Sequence, residues 1–552
     1  MKGLLLTTKT GGFISLGRPI TTHYQGLFFM LRDELELYKT VEDIGLDLDV
    51  TKLENSANSF IRYSGKVKEV FSFDDSSTLR YKITNYTGYI GVSLDFRRVH
   101  DFSDTGRIYK VLQEKDVLII VYEKYEDDSL SELKEKKTLK IKGVKDYEYK
   151  ENWASRNYAY DLQRKTRSDF FVNDGLRIKV EGSIELLFCF DEKPVPARFL
   201  KPARSDLDIC YNAVCSLKYE DKFSGLFAGL PWFYQFWARD ELIGLKPFII
   251  RKEYDFVFEV LMRHLSRIDE NGYVKNRYPE SELGSVDSLG WLAFRFYELF
   301  NSKSFDKKML LKVKAEFESA LEKLSPKFKD SLLFNEDLET WMDTSNENDF
   351  RRGFRVEIQA LILSVYRLIN FINKELGLEE NKVEFEMKKK VKEKLFVDYL
   401  RDGFLERPSN TIRPNVFLAY YLYPELLGKK EWEKTFDVVL KNCWLEWGGL
   451  SSISKNHRLF RDTYTGITNE SYHRGDSWFF VNNIAGLCMK RLNQKKYSKY
   501  IKKIVSASTT ELKQLGAIGH HAEVCSAKKL GSKGCFAQLW SSATLFELLT
   551  EL

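Results

Sequence analysis

The 552-residue sequence contains no stretch approaching the ~18 consecutive apolar residues that a membrane span requires. Its opening, MKGLLLTTKTGGF, turns polar after three leucines, too soon for the apolar segment of a secretory leader, so a cytoplasmic protein with no membrane partner is expected. Paired cysteine spacing is also missing. The seven cysteines (Cys189, Cys210, Cys215, Cys443, Cys488, Cys525 and Cys535) are dispersed, which argues against a disulfide framework or zinc site and for reduced, mostly buried thiols. The seven histidines include no H-E-x-x-H arrangement, so no metal and no other cofactor is expected. A glycine-rich phosphate cradle and Ser-His-Asp spacing are likewise lacking. Nor does one sign of charge dominate. The 86 basic and 80 acidic residues leave a net +6, and runs such as KEKKTLKIKGVK and EFEMKKKVKEK alternate signs or lie on helix faces. That pattern is a solvated surface, not a nucleic-acid groove.

What is present is a soluble globular composition, 43% hydrophobic and 30% charged, in a chain long enough for more than one domain. Residues 1–195 read as β: YKITNYTGYIGVSLDF and DVLIIVYEKY are rich in β-branched and aromatic residues and bounded by Asp, Ser and Gly turns. The pattern predicts an N-terminal β-sandwich domain. The proline-bearing stretch around 196–205 reads as a linker, and residues 206–552 as a helical domain.

The helices there are of two alternating kinds. VDSLGWLAFRFYELF, VEIQALILSVYRLINFI, RPNVFLAYYLY, DSWFFVNNIAGLCM and FAQLWSSATLFELL are apolar nearly all round, with a shorter sixth near Asp240. Others carry one stripe, as with Met309, Val313, Phe317, Ala320 and Leu324. A helix apolar all round is buried, whereas a striped one keeps a solvent face. Six of each in alternation predict an inner and an outer ring, an (α/α)6 barrel, for a fold of multidomain β + α class. The stretches leading into the six buried helices (229–242, 276–287, 339–357, 406–415, 468–478 and 519–540) would then emerge at one end. With Trp291 one turn into the second buried helix, they hold Trp232, Trp237, Tyr278, Trp341, Tyr472, Trp478 and Trp540 among Asp, Glu, Arg and Asn, a mixture that suits a sugar. Trp341 and Asp343 raise a particular choice. Asp343 is either a cap with an aromatic packed nearby, or a carboxyl whose pKa is raised beside an indole so that it can donate a proton.

The ordered motifs resemble those of archaeal and bacterial glycogen debranching enzymes, in the part that carries amylo-α-1,6-glucosidase activity. PWFYQFWARD is similar to the family's P-W-F-x-x-W-G-R-D, NRYP and DSLGW to N-R-F-P and D-A-S-L-W, and TWMD matches outright. RVEIQAL, RPN, YHRGDSW, and AEV with GCFAQLWS correspond to the later motifs; LLTTKTGGF and HYQGLFF are more divergent, with Gln25 in place of a histidine. The resemblance implies a glucoamylase-like exo-hydrolase without a separate glucanotransferase domain, acting on glycogen or another branched α-glucan. It implies inversion by two carboxyl groups roughly 6.5–9.5 Å apart. By the same resemblance Asp343 is the acid and Glu523 the base, with Glu470 a rival base. Arg239 and Asp240 would hold the terminal glucose. Trp237, Asn276, Arg277, Trp341, Glu357, Arg413, Asn415, Tyr472, His473 and Trp478 are further substrate-binding candidates. An α-1,4-specific exo-glucosidase and a non-catalytic glucan-binding protein are the competing expectations.

Overall fold

The computed structural model describes residues 2–17, 19–279 and 284–552; part of the 276–287 connection therefore lies outside the described residues. The chain forms two compact units, Met1–Phe223 with Lys513–His520, and Ser224–Leu512 with His521–Leu552.

In the first unit, strands expected as a two-sheet sandwich instead hydrogen-bond into one 15-stranded sheet. Its long members, Thr78–Arg98 and Asp169–Phe190, pair antiparallel along most of their length. Asn85, with φ +60°, sits where the register shifts opposite Gly182 and Ser183. This extra residue reverses the alternation, so Leu79, Tyr81 and Ile83 on one side and Ile90, Val92 and Leu94 on the other all face the same core. A single strand thereby serves both halves of the core, and no second sheet is needed. The helix α1 (Ala159–Gln163) is a short excursion between strands. The helix α2 (Asp206–Ser216) starts at the Ser205 cap, whose hydroxyl accepts from the Asp208 N–H. Expected with the helical half, α2 groups with the β unit: the Thr7 hydroxyl donates to the Ser216 carbonyl. Gly516–Ala517 return to pair in parallel with the first strand, which assigns the 513–520 segment here as well.

The second unit holds α3 (Ala238–Gly244), α4 (Lys246–Ile250), α5 (Tyr254–Leu265), α6 (Val286–Ser302), α7 (Lys307–Lys323), α8 (Val356–Leu376), α9 (Val383–Leu395), α10 (Asn415–Leu422), α11 (Lys429–Cys443), α12 (Phe479–Gln514) and α13 (Leu539–Glu551). Non-helical backbone at Asn493 divides α12 into a buried first half and a striped second half. Burial follows the sequence pattern. In α7 only Leu310, Val313, Phe317 and Ala320 are buried, whereas every residue of α3 and of α10 is. The buried helices pack in chain order: α3 on α6, α6 on α8, and α8 on α10. The Cys488 thiol of α12 meets the Phe417 carbonyl of α10, Asn483 of α12 donates to the Ser541 carbonyl of α13, and α13 packs on α3. Gly290 permits the α6–α8 contact, since a Cβ there would lie 2.3 Å from Leu361 Cβ. The helix α8 is long and apolar enough to cross a membrane, but 83% of its apolar window is buried by these neighbours.

Candidate active site

Each of the connections entering a buried helix is tied to another. Phe236–Trp237 pair with Arg277–Tyr278, Gly229–Leu230 with Ala537–Gln538, Phe354–Arg355 with Gly403–Phe404, and Ser477–Trp478 with Val524–Cys525. Side chains join these pairs. The Thr344 hydroxyl meets His473 Nδ1 at 2.9 Å, and Arg413 donates to the His473 carbonyl at 2.8 Å. Arg239 reaches from the first connection to Asp287 at 2.5 Å and to Asp343 at 3.4 Å. Residues as far apart in sequence as Gly229 and Gln538 thus meet at one end of the helices.

Asp343 sits in the long connection before α8. Its side chain is 41% exposed. Desolvation nevertheless raises its pKa, Arg239 opposes that rise, and Asp287 adds to it. The two facts fit a carboxyl at the floor of an open recess, reached by water but surrounded by protein. Asp343 does not cap α8, whose cap residue is Arg355; the neighbouring aromatic, Trp341, is packed inside. It is 4% exposed, donates from Nε1 to Asn415 Oδ1 at 3.1 Å, and meets His473, Trp478 and Phe480 edge-on.

Glu523 is 3% exposed, and both of its oxygens are engaged. The Tyr472 hydroxyl donates to Oε1, and the Cys535 N–H donates to Oε2 at 2.9 Å. Two donors suit an ionised carboxylate. The close turn depends on Gly534: its φ is +68°, and a Cβ would lie 2.3 Å from Glu523 Oε2. Behind the turn, buried Glu511 binds His521 Nδ1 at 2.5 Å and accepts from the Ala522 N–H at 3.2 Å, which fixes the segment just before Glu523.

The charges of Asp343 and Glu523 act on the same two groups. Both raise the Tyr472 phenol, whose burial is the leading cause of its shift. Both also raise Asp240, pushed up first by burial and restrained by Arg239. Asp240 accepts from Gln538 Nε2 at 2.9 Å. Both carboxyls thus stand near enough to Tyr472 and Asp240 for their charges to be felt there. Glu470, by contrast, is exposed on the turn Thr468–Tyr472.

Several of the expected ligand-binding residues also brace loops, although Glu357 Oε2 and His473 Nε2 are buried without a hydrogen-bond partner. Arg413 is 1% exposed; it binds Asp349 through Nη2 at 2.6 Å and two backbone carbonyls through Nη1. Glu357, also buried, is held by Arg351, which bridges it to Asp402, and Asn415 donates to Asp402 at 2.8 Å. Trp478 donates to the Tyr472 carbonyl at 2.8 Å, and its ring lies 5.1 Å from His473, whose pKa is driven down by burial. These side chains are sealed because the loops they join would otherwise leave buried carbonyls unpaired. The braces Asp287, Asp349, Arg351, Asp402 and Arg474 were not singled out from sequence. Asp349, Arg351 and Asp402 are charged residues in polar stretches, indistinguishable there from surface residues. Asp349 alone joins Arg413 to Arg474, at 2.6 and 2.9 Å.

Trp237 and Asn276 remain available to a ligand. Trp237 is half-buried with the Arg277 guanidinium 5.6 Å from its ring centre. Its Nε1 and the Oδ1 of Asn276 are buried without hydrogen-bond partners. Each such atom costs about 1–3 kcal/mol, a deficit that a sugar hydroxyl would relieve. Among the described residues, no group of His, Cys, Asp and Glu is arranged to hold a metal ion.

The sequence profile of the amylo-alpha-1,6-glucosidase family matches residues 205–547. No curated protein sequence matches the chain. Among solved structures, the fold is similar to that of a bacterial glucoamylase complexed with acarbose, with a TM-score of 0.66, 9% identity, and coverage of 99% of this chain and 93% of that one.

Proposed function

Because the chain belongs to the amylo-alpha-1,6-glucosidase family of glycoside hydrolases, we propose that it is an exo-acting α-1,6-glucosidase that removes single-glucose stubs from glycogen or a similar branched α-glucan. The observation that carries this reading is that Arg239 ties to Asp343, and Tyr472 and the Cys535 N–H to Glu523, in connections that pair with one another. Asp343, its pKa raised by desolvation, gives a proton to the glycosidic oxygen. Arg239 then steadies the carboxylate it leaves. Glu523, held by Tyr472 and the Cys535 N–H, takes a proton from water attacking the opposite face of the sugar, so the anomeric centre inverts. Trp237 supplies the stacking face, and Asn276 accepts from a glucose hydroxyl. We assign the helices of the second unit to an (α/α)6 barrel; the ordered packing of its buried helices supports this reading.

The test is glucose release from a phosphorylase limit dextrin. Wild type should release glucose, D343N and E523Q should not, and acarbose should inhibit. Rapid hydrolysis of maltose with no action on isomaltose would instead assign α-1,4 specificity. Co-sedimentation with glycogen without any glucose release would reduce the protein to a glucan binder.

A further inference from the structure

A cavity of about 1070 Å³ lies wholly in the β unit, far more room than a few trapped waters need and ample for a small organic ligand. Leu5, Leu6, Phe73, Ile209, Ala213 and Ile518 give it apolar walls. A strap of residues 197–203 covers one side. Asn58 exchanges two hydrogen bonds with the Leu200 backbone, at 2.6 and 2.7 Å, and Asn212 donates to the Lys201 carbonyl at 2.8 Å. The amides at the cavity edge are thus committed to holding the strap.

The charges in the lining are unevenly matched. Asp74 is paired with Arg80 at 2.6 Å, and Lys513 with Asp206 at 2.9 Å. Arg198 is paired less closely, with a Glu220 carboxylate that Lys218 holds at 3.0 Å. Its side chain is 7% exposed, and Glu220 stands 3.7 Å away, beyond hydrogen-bond range. Nη2 donates to the Lys218 carbonyl, but Nε and Nη1 are buried without a hydrogen bond. Burial pulls the guanidinium pKa down, with Glu220 opposing. A buried cation with two idle nitrogens is costly unless something anionic joins it.

We propose that this cavity is a binding site for a small monocarboxylate with an aliphatic body, its carboxylate on Arg198 and its chain against the apolar walls. One under-compensated cation matches one negative charge, and a phosphate dianion would leave an excess in the same apolar setting. The committed amides and apolar walls argue against a sugar.

The experiment is isothermal titration of the full-length protein with decanoate below its micellar concentration, beside decan-1-ol, inorganic phosphate and maltoheptaose. The expected result is saturable one-site binding of decanoate, with decan-1-ol at least about tenfold weaker, as loss of a charge-assisted hydrogen bond implies. R198M should weaken decanoate by a similar factor, R198K should retain most of the affinity, and A213L should weaken binding by narrowing the apolar wall. Melting curves for each variant identify a fold defect; if R198M is unfolded, the decanoate/decan-1-ol ratio in wild type and the A213L titration decide. Absence of saturable decanoate binding, equal binding by folded R198M, equal affinity for decan-1-ol, or preferential binding of phosphate or maltoheptaose would overturn the proposal.

Discussion

Asp343 and Glu523 carry the same functional group in opposite settings. Asp343 hangs from a long polar connection, 41% exposed, with Arg239 as its charged neighbour and desolvation raising its pKa. Glu523 is closed into a tight turn, 3% exposed, with a phenol on one oxygen and a backbone N–H on the other. The first setting favours a carboxyl that keeps its proton, and the second a carboxylate ready to take one. The division of labour thus resides in the loops, since both loops are anchored to the same set of helix ends.

The largest expected effect comes from erasing the contrast. D343N should lower kcat on limit dextrin by about 10²–10⁴-fold, as loss of general-acid catalysis implies, and E523Q should do comparable damage. Steady-state kinetics on folded variants checks this; a near-native rate for either one removes that residue from the chemistry. A smaller effect isolates the donor side. Y472F should reduce kcat by about tenfold or less and move the acidic limb of the kcat/KM profile to higher pH, because Glu523 loses a hydrogen bond that favours its charge. An unmoved limb would mean that Tyr472 acts on substrate instead. The smallest effect concerns stability. Asp476, buried next to Ser471, has its pKa pushed up to about 7, mainly by desolvation. Its folded-state pKa exceeds the unfolded value, so wild-type stability falls as pH rises from about 4 to about 7. D476N removes that slope. Over the window its stability relative to wild type should improve by about 4 kcal/mol, measurable by denaturant melts at several pH values.

Much of the helical unit was legible in the sequence because burial leaves a compositional trace. VEIQALILSVYRLINFI became α8, and FDKKMLLKVKAEFESALEKL became the one-sided α7. Local periodicity reports burial, and burial orders the helices. The single sheet was not legible, since its continuity turns on one left-handed residue, Asn85, that sequence periodicity alone could not place. Nor were the loop braces. Arg413 looked like a ligand-binding arginine because its type and motif suit one, but Asp349, which it binds, lies 64 positions away. The meeting of Asp343 with Glu523 was likewise beyond spacing; only the two-residue strand pairs and side-chain ties between connections bring them together. Trp237 and Asn276 retain unpaired polar atoms that no composition could reveal.

The most direct test follows the anomeric protons by NMR during the first turnovers on an α-1,6-linked substrate, before mutarotation equilibrates the product. Attack of a Glu523-activated water opposite an Asp343-protonated leaving group predicts β-glucose as the first species. α-Glucose appearing first would contradict the paired-carboxyl account.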